Sequence, residues 1–149
     1  MSSPALQILT RVEDRWLQIL YLHDREIFSG IHLPSHDHTH HLRVWQFARE
    51  LVMVWEESGR RFSMEEIELL ILAVFFHDTG MSRTQQSRHG LVSREFCEAF
   101  LQENKLSAMA GKAELLDAIE QHDNKDYGLT HRDPTGLLTL LNLADDLDA

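Results

Sequence analysis

The chain has 149 residues, 43% of them hydrophobic, and a formal net charge of -10. This length and composition predict one soluble domain, residues 1–149, with its own core. The acidic charge argues against a binder of nucleic-acid polymers, because such proteins present a basic face to the phosphate backbone. The single cysteine, Cys97, excludes an internal disulfide and a cysteine-rich zinc site.

The sequence also predicts a cytoplasmic protein with no membrane partner. Residues 1–5 lack the basic start of a secretory leader, and the segment that follows is amphipathic and charged. The longest apolar run, residues 69–76, is far shorter than the ~20 residues that span a bilayer.

Apolar residues recur at helical spacing along most of the chain. The predicted helices cover residues 4–28, 35 or 37 to 57, 63–78, 89–104, 108–122 and 135–148. Ser63 and Glu66 form a capping-box pattern at the third helix, and Asp133-Pro134 is typical of the start of the last one. With no repeat and no strand-like alternation, the sequence predicts an all-α fold, a compact bundle of five to six helices.

The third predicted helix ends in two polar residues, His77 and Asp78. They follow Leu70 and Ile71 by one heptad, so both leave the helix on its buried side. A buried carboxylate must be neutralised, paired or bound to a metal, because its desolvation costs several kcal/mol or more. The pair therefore marks a candidate site.

Other helices carry polar residues where their apolar face ends, namely His40, His89, His122 and Asp145. A single histidine of this kind is most often a hydrogen-bonded core residue. The recurrence of the pattern in five helices favours one shared site. Imidazole and carboxylate ligands from facing helices suit a divalent ion such as Mn²⁺, Co²⁺, Fe²⁺, Ni²⁺, Zn²⁺ or Mg²⁺.

Three segments resemble the signatures of the HD-domain metal-dependent phosphohydrolase superfamily. They are residues 40–44, which begin with His40-His41, residues 74–80, which contain His77-Asp78, and residues 144–149, which contain Asp145. The resemblance covers about residue 35 to the last residue, and it implies an HD-type bundle in which one divalent ion is held by His40, His77, Asp78 and Asp145.

The resemblance does not decide whether a second ion binds. His89 and His122 stand where two-metal members have further ligands, and where one-metal members have residues that hold substrate or water. Periodicity does not choose between His40 and His41, because both stack over apolar residues of their helix. The family spacing to Arg43 selects His40. His36-Asp37 resembles a lead-in found in small nucleotide-cleaving members, but a helix cap beside a solvated histidine is an equal alternative.

The implied activity is that of a phosphatase or nucleotide pyrophosphatase. Asp78 would bind the metal and orient water, while His89 or His122 would relay a proton to the leaving group. The substrate would be a small phosphorylated compound, preferably a nucleotide. Its phosphate would be bound by Arg43, Arg83 or Arg88, although Arg43 could pair with a carboxylate and the other two could be solvated loop charges.

Two other functions fit the same residues. One is a dinuclear iron oxygenase of this fold, and the other is a non-catalytic nucleotide-binding or signalling module. The chain stops directly after the third motif, where family members usually continue with a further helix. We therefore expect either truncation at the C-terminus or a homo-oligomer that covers exposed apolar surface. Asp146 replaces the arginine often found in the family, which removes one expected substrate contact.

Overall fold

The structure, a computed structural model, describes residues 3–84, 89–124, 126–127, 133 and 136–148. These residues contain no strand, so the predicted all-α fold is confirmed. The helices are α1 (Pro4–Ile27), α2 (His38–Glu57), α3 (Met64–Phe76), a 3₁₀ helix (Thr79–Ser82), α4 (His89–Glu103), α5 (Lys112–Gln121) and α6 (Leu137–Leu147).

Helix α3 runs through the middle of the bundle and contacts α1, α2, α4, α5 and α6. All of its residues from Leu69 to Phe76 are buried. A helix that is apolar on every side is stable in water only when other helices surround it. The chain that leaves α3 therefore emerges inside the bundle, and this placement buries His77 and Asp78.

Side-chain caps fix where α3 and α2 begin. The Ser63 hydroxyl accepts a hydrogen bond from the Glu66 amide at 3.1 Å, and the Glu66 carboxylate accepts one from the Ser63 amide at 2.9 Å. The predicted capping box is thus confirmed. At α2 the cap is Asp37 rather than Ser35, because its carboxylate accepts from the amides of Thr39 and His40. This cap places His40 in the first turn.

Three boundaries differ from the prediction. Helix α5 begins at Lys112 instead of residue 108, because Gly111 adopts a left-handed conformation with a φ of 81° just before it. The chain after α3 forms the short 3₁₀ helix instead of a simple stop. Helix α6 begins at Leu137, with Gly136 at the N-cap position. The predicted start at Pro134 and Thr135 lies outside the described residues.

Helix α3 is the most apolar helix of the bundle, but it has only 13 residues. Such a helix is about 20 Å long, which is less than the hydrocarbon thickness of a bilayer. None of the other described helices combines the length and apolar character needed to cross a membrane.

Gly80 lies at a close contact between the 3₁₀ helix and the start of α4. Its amide donates to the Ser93 hydroxyl at 2.8 Å, and a Cβ added to it would overlap the backbone carbonyl of His89. Because neither backbone can move without disturbing the site, we expect Gly80→Ala to cost about 3 kcal/mol. Thermal denaturation should show a fall in Tm of roughly 6–12 °C.

Gly30→Ala is the matched control for Gly80→Ala. Gly30 has a φ of 78°, and no described atom lies within 4 Å of an added Cβ. Its substitution should cost only the backbone strain, about 1 kcal/mol. Equal falls in Tm for the two variants would contradict the close contact at Gly80.

Candidate metal centre

The four predicted metal ligands meet at the C-terminal end of α3. The Asp145 Oδ1 atom lies 3.1 Å from His40 Nε2 and 3.3 Å from His77 Nε2. The Asp78 Oδ2 atom lies 3.5 Å and 3.4 Å from the same two nitrogens. Residues from α2, from the end of α3 and from α6 are thus brought to one point, although more than 100 residues separate the first from the last.

Hydrogen bonds fix the tautomers of both histidines. His77 Nδ1 donates to the Val74 backbone carbonyl at 2.7 Å, and a carbonyl oxygen only accepts. His40 Nδ1 donates to Asp148 Oδ2 at 2.6 Å. In each neutral imidazole Nε2 therefore carries a lone pair, and both lone pairs face carboxylates. Such support of a ring by its other nitrogen is usual for histidines that bind metals.

Lone pairs that face carboxylates require a cation between them. His40 Nε2 is buried and has no hydrogen-bond partner among the residues that the structure describes. Atoms that share one ion at about 2.1 Å are ~3.0 to ~3.5 Å apart, depending on the geometry. The four contacts above, from 3.1 to 3.5 Å, match this spacing. The cluster fits a divalent metal ion, which His40, His77, Asp78 and Asp145 would hold.

Without an ion, protons occupy the cluster instead. Burial lowers the pKa of His40, but in the protonated ring Nε2 becomes a donor towards Asp145 and Asp78, and these hydrogen bonds together with that to Asp148 raise the pKa to about 10. Burial also lowers the pKa of His77, yet the charges of Asp78 and Asp145 raise it to about 9. Metal binding must displace these protons, so metal affinity should increase with pH.

The metal-free protein should lose stability as the pH rises. The folded-state pKa values of His40 and His77 lie above the ordinary value of 6.5. Their contribution is therefore complete below about pH 6.5 and is lost as the pH passes 9 to 10. In EDTA we expect Tm to fall by roughly 5 °C or more over this range.

Thermal denaturation at several pH values, with EDTA and with excess Mn²⁺, measures this fall. Saturating Mn²⁺ should reverse it, because the ion replaces the lost protons. His40→Gln should flatten the pH profile, whereas His32→Gln, at an exposed position, should leave it unchanged. A Tm in EDTA that is constant between pH 6.5 and 10 would contradict the proposed pairing.

A second cluster lies on the other side of Asp78. Its Oδ1 atom is 3.1 Å from His122 Nε2 and 3.4 Å from His89 Nε2, and the two nitrogens are 3.2 Å apart. His122 Nδ1 donates to the Ile119 carbonyl at 2.7 Å, so in the neutral ring its Nε2 also carries a lone pair. Asp78 thus connects two groups of histidines, one through each oxygen. The predicted His89 and His122 are both brought to the site.

The contact of His36 answers a question that the sequence left open. His36 Nδ1 lies 3.2 Å from Asp78 Oδ2, and its side chain is 43% exposed. Asp37 caps α2, so this dipeptide combines both interpretations, a helix cap and a histidine at the site.

The hydrogen bond from His40 to Asp148 was not predicted. Its signal was the spacing of three residues between Asp145 and Asp148, which places both on one helix face.

A buried pair, Asp24 and His41, was missed as well. Asp24 Oδ2 accepts a hydrogen bond from His41 Nδ1 at 2.5 Å, and both residues are buried. Asp24 continues the apolar stripe of Trp16 and Leu20 at a step of four residues. A polar residue at the end of such a stripe is the same pattern that identified the other site residues.

The three candidate substrate arginines are distributed differently. The Arg43 Nε atom donates to both oxygens of Asp148, at 2.8 and 3.1 Å, which is the carboxylate pairing that the sequence allowed. The Arg83 guanidinium stacks on the Phe96 ring, 4.6 Å from its centroid, beside a surface cavity lined by His23. Arg88 lies outside the described residues. Only Arg43 is linked to the cluster by described contacts.

A protein-family model described as HD-CE matches residues 10–146. This segment includes every predicted metal ligand and both histidines of the second cluster. The description agrees with the HD-domain resemblance of the three motifs, and it names no reaction or substrate. No curated protein and no solved structure matches the chain.

Proposed function

The chain belongs to the HD-CE family, and from this premise we propose that it is a metal-dependent hydrolase of phosphate esters or anhydrides. The substrate we propose is a small phosphorylated compound, and a nucleotide is the best candidate. One observation carries the proposal: the buried imidazole lone pairs of His40 and His77 face the buried carboxylate of Asp78 and the partly exposed one of Asp145 at the spacing of metal ligands. This arrangement is costly to bury unless a cation offsets it.

A divalent ion bound here would lower the pKa of a water molecule and withdraw charge from phosphoryl oxygens. The protein's own residues supply position and order. Asp148 and Val74 hold the two imidazoles in the required tautomer. Asp78 would orient the attacking water, and the half-exposed His36 beside it would exchange a proton with the leaving group.

We extend the proposal to a second divalent ion, held by Asp78, His89 and His122. Its support is the triangle of 3.1, 3.2 and 3.4 Å formed by Asp78 Oδ1 and the two Nε2 atoms, which repeats the spacing of the first cluster. A carboxylate that uses one oxygen for each ion is suited to a two-metal hydrolase. The alternative to a second ion is that His89 or His122 relays a proton to the leaving group.

Substrate binding would need positive charge, because the protein as a whole is acidic. Arg43 is the best candidate, since its side chain is 46% exposed and its ion pair with Asp148 joins it to His40. A single such arginine suits one phosphate group of a small molecule better than a polymer. Arg83 and Arg88 remain predicted contacts of the same phosphate.

The test combines elemental analysis of the purified protein with a screen of nucleoside mono-, di- and triphosphates under Mn²⁺, Co²⁺ and Mg²⁺. We expect bound metal, and release of phosphate or pyrophosphate that EDTA abolishes and added metal restores. Turnover that persists in EDTA, or the absence of turnover on all of these substrates in a protein loaded with metal, would contradict the proposal.

The six-residue set of both clusters also supports a second candidate, a dinuclear iron oxygenase. Oxygen consumption after loading with Fe²⁺, together with a mixed-valence EPR signal, would favour it over hydrolysis. A non-catalytic module is disfavoured, because a site without function has no physical need for buried carboxylates. A protein that purifies without metal and gains no thermal stability from Mn²⁺ would reverse that judgement.

A further inference from the structure

His41 is the most buried histidine of α2, with an exposure of 0%, and it is held by a residue of α1. Its Nδ1 atom donates to Asp24 Oδ2 at 2.5 Å, and Asp24 is only 1% exposed. Because an ionised carboxylate only accepts, the neutral ring carries its proton on Nδ1 and a lone pair on Nε2. Within the described part of the chain, this buried Nε2 has no hydrogen-bond partner.

The His41 ring lies against the first cluster. Its centroid is 5.1 Å from that of His77 and 5.4 Å from that of His40. One ligand atom from each of His40, His41, His77 and Asp78 lies within 4.8 Å of the other three. A third imidazole therefore contributes to the group of atoms that would surround the first ion.

We propose that His41 is a further ligand of the first ion, and that Asp24 is the positioning residue that fixes its tautomer and ring orientation. The arrangement is the carboxylate–histidine–metal chain that supports ligands in many metal sites. The inference rests on the metal site of the proposed function, and it is independent of the reaction performed there.

A purely structural role, in which the Asp24–His41 pair only links α1 to α2, explains the position of one His41 nitrogen but not of the other. It accounts for Nδ1, which is satisfied by Asp24, but leaves a buried acceptor without a partner at Nε2. A bond to the ion satisfies both nitrogens. It also makes three imidazoles available to one ion, a donor set that favours first-row transition ions over Mg²⁺.

Ion affinity in matched variants tests the proposal. We compare His41→Gln, Asp24→Asn and the control His38→Gln by calorimetric titration with Co²⁺ and by the Tm of the metal-free proteins. His38 lies one turn earlier, and its ring packs on Tyr21 at 5.3 Å instead of on the cluster. We expect Co²⁺ affinity to fall roughly 10- to 100-fold in His41→Gln, by about tenfold in Asp24→Asn and not at all in the control.

A His41→Gln protein that folds and binds Co²⁺ with wild-type affinity would overturn the inference, whatever the change in its metal-free Tm. Should that variant fail to fold, the wild-type protein still decides the matter. After loading with ¹¹³Cd²⁺, ¹⁵N-labelled protein should show ¹¹³Cd–¹⁵N coupling at Nε2 of His41 as well as of His40 and His77.

The failures of the two proposals are distinguishable. Coupling at His40 and His77 without coupling at His41 would overturn the inference and leave the proposed function standing. Coupling at all three histidines in a protein that hydrolyses no phosphate substrate would support the inference and contradict the function. A wild-type protein that binds neither Co²⁺ nor Cd²⁺ would overturn both.

Discussion

Asp78→Asn is expected to remove divalent ions from both clusters and to lower hydrolytic turnover by about 10³-fold or more. Asp78 uses Oδ2 towards His40 and His77, and Oδ1 towards His89 and His122. The amide replaces one oxygen by a nitrogen donor and removes the negative charge that the two clusters share, so one cluster loses its oxygen ligand and the other keeps only a neutral one. Because asparagine has nearly the same shape, the helices around it should still pack.

Metal content and steady-state hydrolysis measure the effect of Asp78→Asn, and far-ultraviolet circular dichroism checks the fold. Asp146→Asn is the matched control, since it removes the same charge from an exposed position beside Asp145. It should retain ions and activity. His77→Ala should resemble Asp78→Asn at the first cluster. Wild-type turnover in both Asp78→Asn and His77→Ala would refute the assignment of the site.

Local patterns predicted the centre of the fold well. The apolar run of α3 followed by His77-Asp78 fixed their burial, because residues one heptad apart share a helix face. The capping box at Ser63 depends on atoms three residues apart, so the sequence contained all of it. The left-handed residue Gly111, which delays α5, had no comparable signal, since glycine adopts many conformations.

The choice between His40 and His41 shows where sequence reasoning ends. Adjacent residues of a helix point about 100° apart, yet both histidines stack over apolar residues, so periodicity could not choose between them and the family spacing selected His40. In the fold, α6 approaches His40 through Asp148, and α1 approaches His41 through Asp24. Both rings are then turned towards the end of α3. Contacts across 108 and 17 residues decide this outcome. Local spacing marks Asp148 and Asp24 as residues of a buried helix face, but it does not specify which histidine each of them contacts.

Arg43 illustrates the same limit for substrate binding. The motif assigns an arginine to that position, but the motif does not specify the partner of its guanidinium. The ion pair with Asp148 depends on the last turn of α6, which only the assembled bundle brings to α2. The same carboxylate accepts from His40, so a residue expected to bind phosphate also supports a metal ligand.

His122→Gln is expected to reduce the ion content from two equivalents to one and to lower turnover by about 10²-fold. The substitution removes one of the two imidazoles of the second cluster, while His40, His77 and Asp145 remain for the first ion. Binding at the first cluster should therefore change little. The hydrogen bond from His122 Nδ1 to Ile119 lies at the end of α5, so its loss should leave the core of the bundle intact.

Elemental analysis after dialysis and titration with Mn²⁺ measure the stoichiometry of His122→Gln, with His32→Gln as a control at an exposed histidine. His89→Gln should reproduce the loss, because both imidazoles complete the same triangle with Asp78. A variant that keeps two ions would contradict the second site. The alternative result is a wild-type protein that binds only one ion, together with a His122→Gln variant that keeps this ion but loses turnover. The two-ion proposal would then fail, because the loss of a ligand must change ion binding. His122 would act in proton transfer instead.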